Sequence, residues 1–134
     1  MIGKLNHVAI AVPDIAEASR TYKNLFGAEV SEQINQPAHG VKIVFIKLPN
    51  TKIELISPLN INSPISKFLK KNPNGGIHHL CYEVENIDSA IEKLGEKNFR
   101  VLEPGKPKLG AHGKPVIFLH PSEFNGTLIE LQQE

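Results

Sequence analysis

The chain has 134 residues, enough to bury a real core in one domain, and at 40% apolar and 22% charged its composition is that of an ordinary globular protein. A formal net charge of +1 with no dense basic run argues against nucleic acid as the main partner, and no apolar stretch approaches the roughly 20 residues needed to span a membrane. The single cysteine, Cys81, excludes an internal disulfide and fits a reducing compartment; a first strand opening within about five residues of Met1 leaves no room for a targeting segment, so the expected location is cytoplasmic.

Residues 5–12 carry small and branched side chains with no breaker until Pro13, which predicts a strand. Asp14 is placed to N-cap a helix from Ile15 that carries Ile15, Ala18, Tyr22, Leu25 and Phe26 on one face and is closed by Gly27. A short strand is expected over 28–34, a strongly apolar one from Val41 to Leu48, and a third over 52–57 after the Pro49-Asn50-Thr51 turn. Ser63-Pro64 opens a short helix at 64–71, broken by Asn72-Pro73-Asn74-Gly75-Gly76. A strand at 77–84, a helix at about 87–97 capped by Asn86 or Asp88, and strands near 99–103, 115–120 and 127–132 complete the chain.

The second half repeats the first. At an offset of 72, His7, Val12, Ile15 and Ala18 fall on His79, Val84, Ile87 and Ala90. At 73, Ala38-His39-Gly40 falls on Ala111-His112-Gly113 and Phe45 on Phe118; at 76, Thr51, Ile53, Glu54 and Leu55 fall on Thr127, Ile129, Glu130 and Leu131. The drift fits a turn-like insertion at 121–125, and the period is too long for a solenoid unit. The expected fold class is therefore α+β: two tandem β-α-β-β-β modules, about 4–58 and 76–134 with a linker at about 59–75, forming an eight-stranded open barrel-like sheet in a single domain.

Each half contributes one His and one Glu in an apolar strand. Strand alternation puts His7, Ala9 and Ala11 on one face and Val8, Ile10 and Val12 on the other; His79, Cys81 and Glu83 likewise share a face. Glu54 and Glu130 are flanked by apolar residues that point away from them, so all four side chains can face the concave side. Any one of these residues alone is more ordinarily a packed histidine or an ion-paired carboxylate. Together, at repeat-equivalent positions and with no Arg or Lys repeated to pair with the carboxylates, His7, Glu54, His79 and Glu130 are the candidate ligands of one divalent metal: cobalt, zinc, manganese, nickel or iron. His78 faces the opposite way. His39, His112 and His120 fall at strand edges or in loops, with His39 and His112 placed to border the cup. Cys81 reads as a packed thiol, and Lys106, Lys108 and Lys114 flank a Gly/Pro-rich loop that is either simply solvated or a seat for a phosphate-bearing tail.

These residues resemble the vicinal oxygen chelate (glyoxalase) superfamily and, within it, the methylmalonyl-CoA epimerase family. The resemblance covers essentially the whole chain. It rests on Leu5 to Asp14 (LNHVAIAVPD), Asn50 to Leu55 (NTKIEL), Gly75 to Leu80 (GGIHHL) and Gly110 to Pro121 (GAHGKPVIFLHP); the first segment is superfamily-wide, whereas the double His after Gly-Gly and the last run are more specific. It implies His7, His79 and Glu130 as metal ligands, with Glu54 at a fourth position held by Glu or Gln. It also implies no cofactor beyond the metal, a coenzyme A thioester as substrate, a homodimer, and epimerisation at C2 through a metal-stabilised enolate. The glutamate that family members commonly carry before the His-Gly of the third strand is Ala38 here, and an alternative position is Ile43, so no base carries over; His39, Glu32 and a metal-bound hydroxide are the candidates. A glyoxalase I-like lyase acting on a glutathione thiohemiacetal shares the ligand set. A non-enzymatic drug-binding module of the same fold usually lacks the ligands, and an extradiol dioxygenase would be longer and lack the 110–121 run. The N-terminal strand and the helical linker at 61–72, with apolar residues such as Ile61, Ile65, Phe68 and Leu69, are the expected dimer surface.

Overall fold

The computed structural model describes residues 1–134, as three α-helices and nine β-strands in two compact units. One unit is His7–His78. The other is His79–Glu134 together with Met1–Asn6. The first strand, β1, runs Ile2–Ala11, starting earlier than its composition alone marks.

In the first unit α1 (Ile15–Asn24) begins where the sequence places it, because Asp14 accepts the Glu17 N–H at 3.0 Å. The strands are β2 (Glu29–Val30), β3 (Ile34–Gln36), β4 (Val41–Lys47) and β5 (Lys52–Pro58), in the order β2-β4-β5-β1, with β3 also on β4. The strand expected over 28–34 is thus two strands; with an unexpected short strand at Lys108–Leu109 and the loss of the one expected at 99–103, the total is nine rather than eight. The break comes from a contact across the sheet: the Phe45 N–H donates to Ser31 Oγ at 2.8 Å, so a side chain takes the place of a ladder carbonyl there. The β1–β5 pair is parallel, with Ala9 beside Glu54, and β4–β5 is antiparallel, with Phe45 beside Glu54. Val12, Ile15, Val44, Ile46 and Leu55 form the core beneath the helix, joined by Ile10, Ala18 and Tyr22. Leu25 and Phe26 do not join them: they lie past the helix end and are 73% and 66% exposed. The second helix, α2 (Pro64–Lys71), is capped by Ser63, whose Oγ accepts from the Ile65 N–H. It buries Ile65 and partly covers Phe68 and Leu69, so of the four residues expected to form an apolar surface only Ile61 is exposed.

The second unit repeats the plan. The strand β6 (Gly76–Val84) leads to α3 (Ile87–Glu96), whose cap is Asn86 accepting from the Ser89 N–H at 2.8 Å. Then come β7 (Lys108–Leu109), β8 (Pro115–Leu119) and β9 (Ile129–Gln133), ordered β6-β9-β8-β7, with β6–β9 parallel as β1–β5 is. The expected strand at 99–103 is reduced to a single bridge, Val101 to Leu119. Its backbone is held by a side chain instead: the Arg100 N–H and Nε both donate to the Glu123 carboxylate at 3.1 Å. Those bonds, the backbone one first, hold Glu123 below the usual carboxylate range. The drift in the repeat is explained by a 3-10 turn at Pro121–Glu123, capped by His120 Nδ1 accepting from the Ser122 N–H. Val84, Ile87, Ala90, Leu94, Ile117, Leu119, Ile129 and Leu131 make this unit's core. In both units the residues of one strand parity pack under the helix and leave the other parity for the site. No helix is long and apolar enough to cross a membrane.

Candidate functional site

The face of β1 opposite α1 carries His7, Ala9 and Ala11, all essentially inaccessible to solvent. Across the parallel β1–β5 register, Glu54 lies next to Ala9, and its Oε2 is 3.3 Å from His7 Nε2. A small neighbour matters here, because alanine leaves the imidazole and the carboxylate room to converge. Phe45 stands on the other side of Glu54 and meets the His7 ring edge-on, with centroids 6.5 Å apart. Lys52 Nζ lies over the same phenyl ring at 5.7 Å.

The second unit builds the same device from the repeat-equivalent residues. His79 Nε2 is 2.9 Å from Glu130 Oε2, and both residues are buried. Cys81 takes the place of Ala9 beside Glu130, and Phe118 takes the place of Phe45, edge-on to His79 at 5.5 Å. Each unit therefore presents one buried imidazole and one buried carboxylate, converging beneath a phenyl ring.

This donor set suits a divalent cation. Two ligand atoms each about 2.1 Å from a metal and separated by a tetrahedral or right angle lie about 3.0–3.4 Å apart, close to both observed spacings. Nitrogen and carboxylate oxygen are the donors that cobalt, zinc, manganese, nickel and iron accept. The structure thus brings His7 to Glu54 and His79 to Glu130, two pairs of the kind the repeat implies.

The other histidines separate as alternation implies. His78 rests edge-on against Phe68, with centroids 5.1 Å apart. His39 ends a 3-10 turn, Pro37–His39, and is half-buried; Glu32 is exposed between β2 and β3. Lys106, Lys108 and Lys114 are exposed around β7.

Two further polar residues lie on the site face of the second unit: Glu83, which strand alternation places with His79, and Gln132, which the sequence reading did not single out. Gln132 is buried and accepts a hydrogen bond from His112 at 3.3 Å. Glu83 pairs with Gln132 across the β6–β9 register and is buried; its Oε2 makes no hydrogen bond and has Lys4 Nζ at 3.8 Å. The signal was present in strand parity, since Gln132 follows Glu130 by two residues and Glu83 follows His79 by four.

Comparison with known proteins gives consistent results. The model of the glyoxalase/bleomycin resistance protein/dioxygenase superfamily matches residues 6–118. An ethylmalonyl-CoA/methylmalonyl-CoA epimerase of Cereibacter sphaeroides is 62% identical over 133 residues, covering 99% of each chain. The mitochondrial methylmalonyl-CoA epimerase of Homo sapiens is 55% identical over 98% of this chain and 74% of its own. Among solved structures, a methylmalonyl-CoA epimerase in complex with methylmalonyl-CoA and NH4+ superposes with a TM-score of 0.92 at 26% identity, covering all of this chain and 96% of that one.

Proposed function

We propose a function from one premise: the chain belongs to the glyoxalase/bleomycin resistance protein/dioxygenase superfamily, and its fold is the vicinal oxygen chelate fold. Within that family it is an isomerase, a methylmalonyl-CoA epimerase, whose substrate is a 2-alkylmalonyl thioester of coenzyme A. Two buried His–Glu pairs at repeat-equivalent positions, in a chain alike over its full length to epimerases of that kind, carry this reading. His7, Glu54, His79 and Glu130 would hold one divalent metal. When bound, the metal supplies positive charge that polarises the thioester carbonyl and acidifies the proton at C2. The protein's own residues do the rest. Phe45 and Phe118 wall the two pairs with hydrocarbon, which keeps water from competing with the substrate for the charged groups. Inversion at C2 needs one group to take a proton from one face and another to return a proton to the opposite face. His39 is the carrier proposed for the first unit; Glu32, exposed to solvent, fits the task less well.

The test is metal analysis of the purified protein followed by deuterium wash-in at C2 of methylmalonyl-CoA. One metal per chain, metal-dependent exchange and interconversion of the two epimers are expected. A metal-loaded protein that exchanges nothing at C2 but isomerises the methylglyoxal–glutathione adduct would be a lyase, and the epimerase reading would fail.

The working form is a homodimer. Ile61, Leu25 and Phe26 remain exposed on the first unit, and apolar side chains of this size at a surface favour burial by a second copy. Sedimentation at micromolar concentration is expected to give twice the chain mass; a monomer would remove this part of the proposal.

A further inference from the structure

We propose that Lys52 is the residue of the first unit that recognises the free carboxylate of the substrate, selecting 2-carboxyacyl thioesters of coenzyme A over neutral acyl thioesters; this deepens the epimerase reading and rests on it. Lys52 precedes Glu54 by two residues on β5, so the two share the site face, and the β1–β5 register sets Lys52 beside His7. Its ammonium lies over the Phe45 ring at 5.7 Å, and that ring meets the His7 imidazole edge-on. Lys52 is half-buried, so a cation is held against the wall of the His7–Glu54 pair.

Two further observations set Lys52 apart from an ordinary surface lysine. It stands directly across the β4–β5 pairing from Lys47, and like charges opposite one another in a sheet are destabilising. Lys47 is drawn off toward Glu29, with Nζ 3.7 Å from Oε2, while Lys52 keeps its charge over Phe45. The duplication also breaks here: at the offset of 76 that carries Glu54 onto Glu130, Lys52 falls on Leu128. The second unit builds its own His–Glu pair and phenyl ring with leucine at this place, so the local structure does not require a cation. The charge of Lys52 serves what the first unit binds.

The chemistry follows from the substrate. A 2-alkylmalonyl thioester carries one carboxylate on C2. On a face that already holds the buried Glu54 carboxylate, a second anion is repelled unless a cation accompanies it. An ammonium has three N–H donors, so Lys52 can bind a carboxylate oxygen while keeping the contacts that place it. A thioester with an alkyl group in place of the carboxylate gains nothing from Lys52. No bond is made or broken in this role: the carboxylate is bound alike before and after the C2 proton leaves, so the contact acts on KM rather than on kcat.

The experiment uses the metal-loaded protein and its Lys52→Met and Lys52→Arg variants. Malonyl-CoA and propionyl-CoA are the calorimetric probes; they share the carrier and differ by a carboxylate against a methyl group. Lys52→Met is expected to keep its metal and a urea midpoint at least as high as that of the unsubstituted protein, because the repulsion from Lys47 is gone. Its affinity for malonyl-CoA should fall about 10–100-fold, the loss of a hydrogen bond between charged groups, while its affinity for propionyl-CoA stays unchanged. KM for methylmalonyl-CoA should rise by the same factor with little change in kcat, and Lys52→Arg should recover most of the loss. Equal weakening of both probes would put Lys52 on the carrier and overturn the proposal. So would unchanged affinity for malonyl-CoA in Lys52→Met, or a loss of metal and stability in that variant. An unsubstituted protein that exchanges nothing at C2 of methylmalonyl-CoA would instead overturn the epimerase reading, and with it the substrate assigned to Lys52.

Discussion

Replacing His79 with alanine is expected to strip the protein of its metal. The imidazole is buried, its Nε2 is 2.9 Å from Glu130 Oε2, and no neighbouring histidine can substitute, because His78 points to the other face and packs on Phe68. Losing a residue that merely supports a ligand typically costs about 10–100-fold in metal affinity, and losing a ligand itself should cost more. Elemental analysis after gel filtration should find about one metal per chain in the unsubstituted protein and in His78→Ala, and essentially none in His79→Ala. Metal-dependent stabilisation should vanish with it: a cation at 100 times its Kd adds about 2.7 kcal/mol to the unsubstituted protein. If His78→Ala empties the protein while His79→Ala does not, the assignment of strand faces at β6 is wrong.

The second large effect is expected at Gly75, which carries no chemistry. Its φ is +88°, and a Cβ there would run into the carbonyl oxygen of Ala11, the last residue of β1. Gly75→Ala therefore combines a left-handed backbone with a collision against main chain, at a combined cost of about 2–5 kcal/mol. Gly27 is the control: its φ is +62° but its surroundings are open, so Gly27→Ala should cost only the conformational part, about 1–2 kcal/mol. Urea denaturation of the two variants would separate the contributions, and equal losses at both positions would refute the collision. The observation also explains physically why the first residue of the Gly75-Gly76 pair ahead of His78-His79 is glycine: the turn passes against the β1 carbonyl there without room for a side chain.

Much of this protein was legible in the chain itself, because its main features are local or repeated. Asp14, Ser63 and Asn86 cap helices through their own side chains, each reaching an N–H only two or three residues on. Strand parity separates His7 and His79 from the residues that pack under α1 and α3, since alternation needs only neighbours in sequence. The duplication aligned His with His, Glu with Glu and Phe45 with Phe118 before any strand was paired. What tertiary structure alone decided depends on partners distant in sequence. Ser31 divides the strand expected at 28–34 because its hydroxyl meets the Phe45 N–H. Glu123 takes the Arg100 N–H and reduces the strand expected at 99–103 to one bridge. Ile65, apolar at the start of a helix, is covered by its own unit and cannot serve a partner, while Leu25 and Phe26 lie beyond the helix they were assigned to. The link from His112 to Gln132 spans twenty residues and a hairpin, and only the pairing of β8 with β9 brings its two ends together.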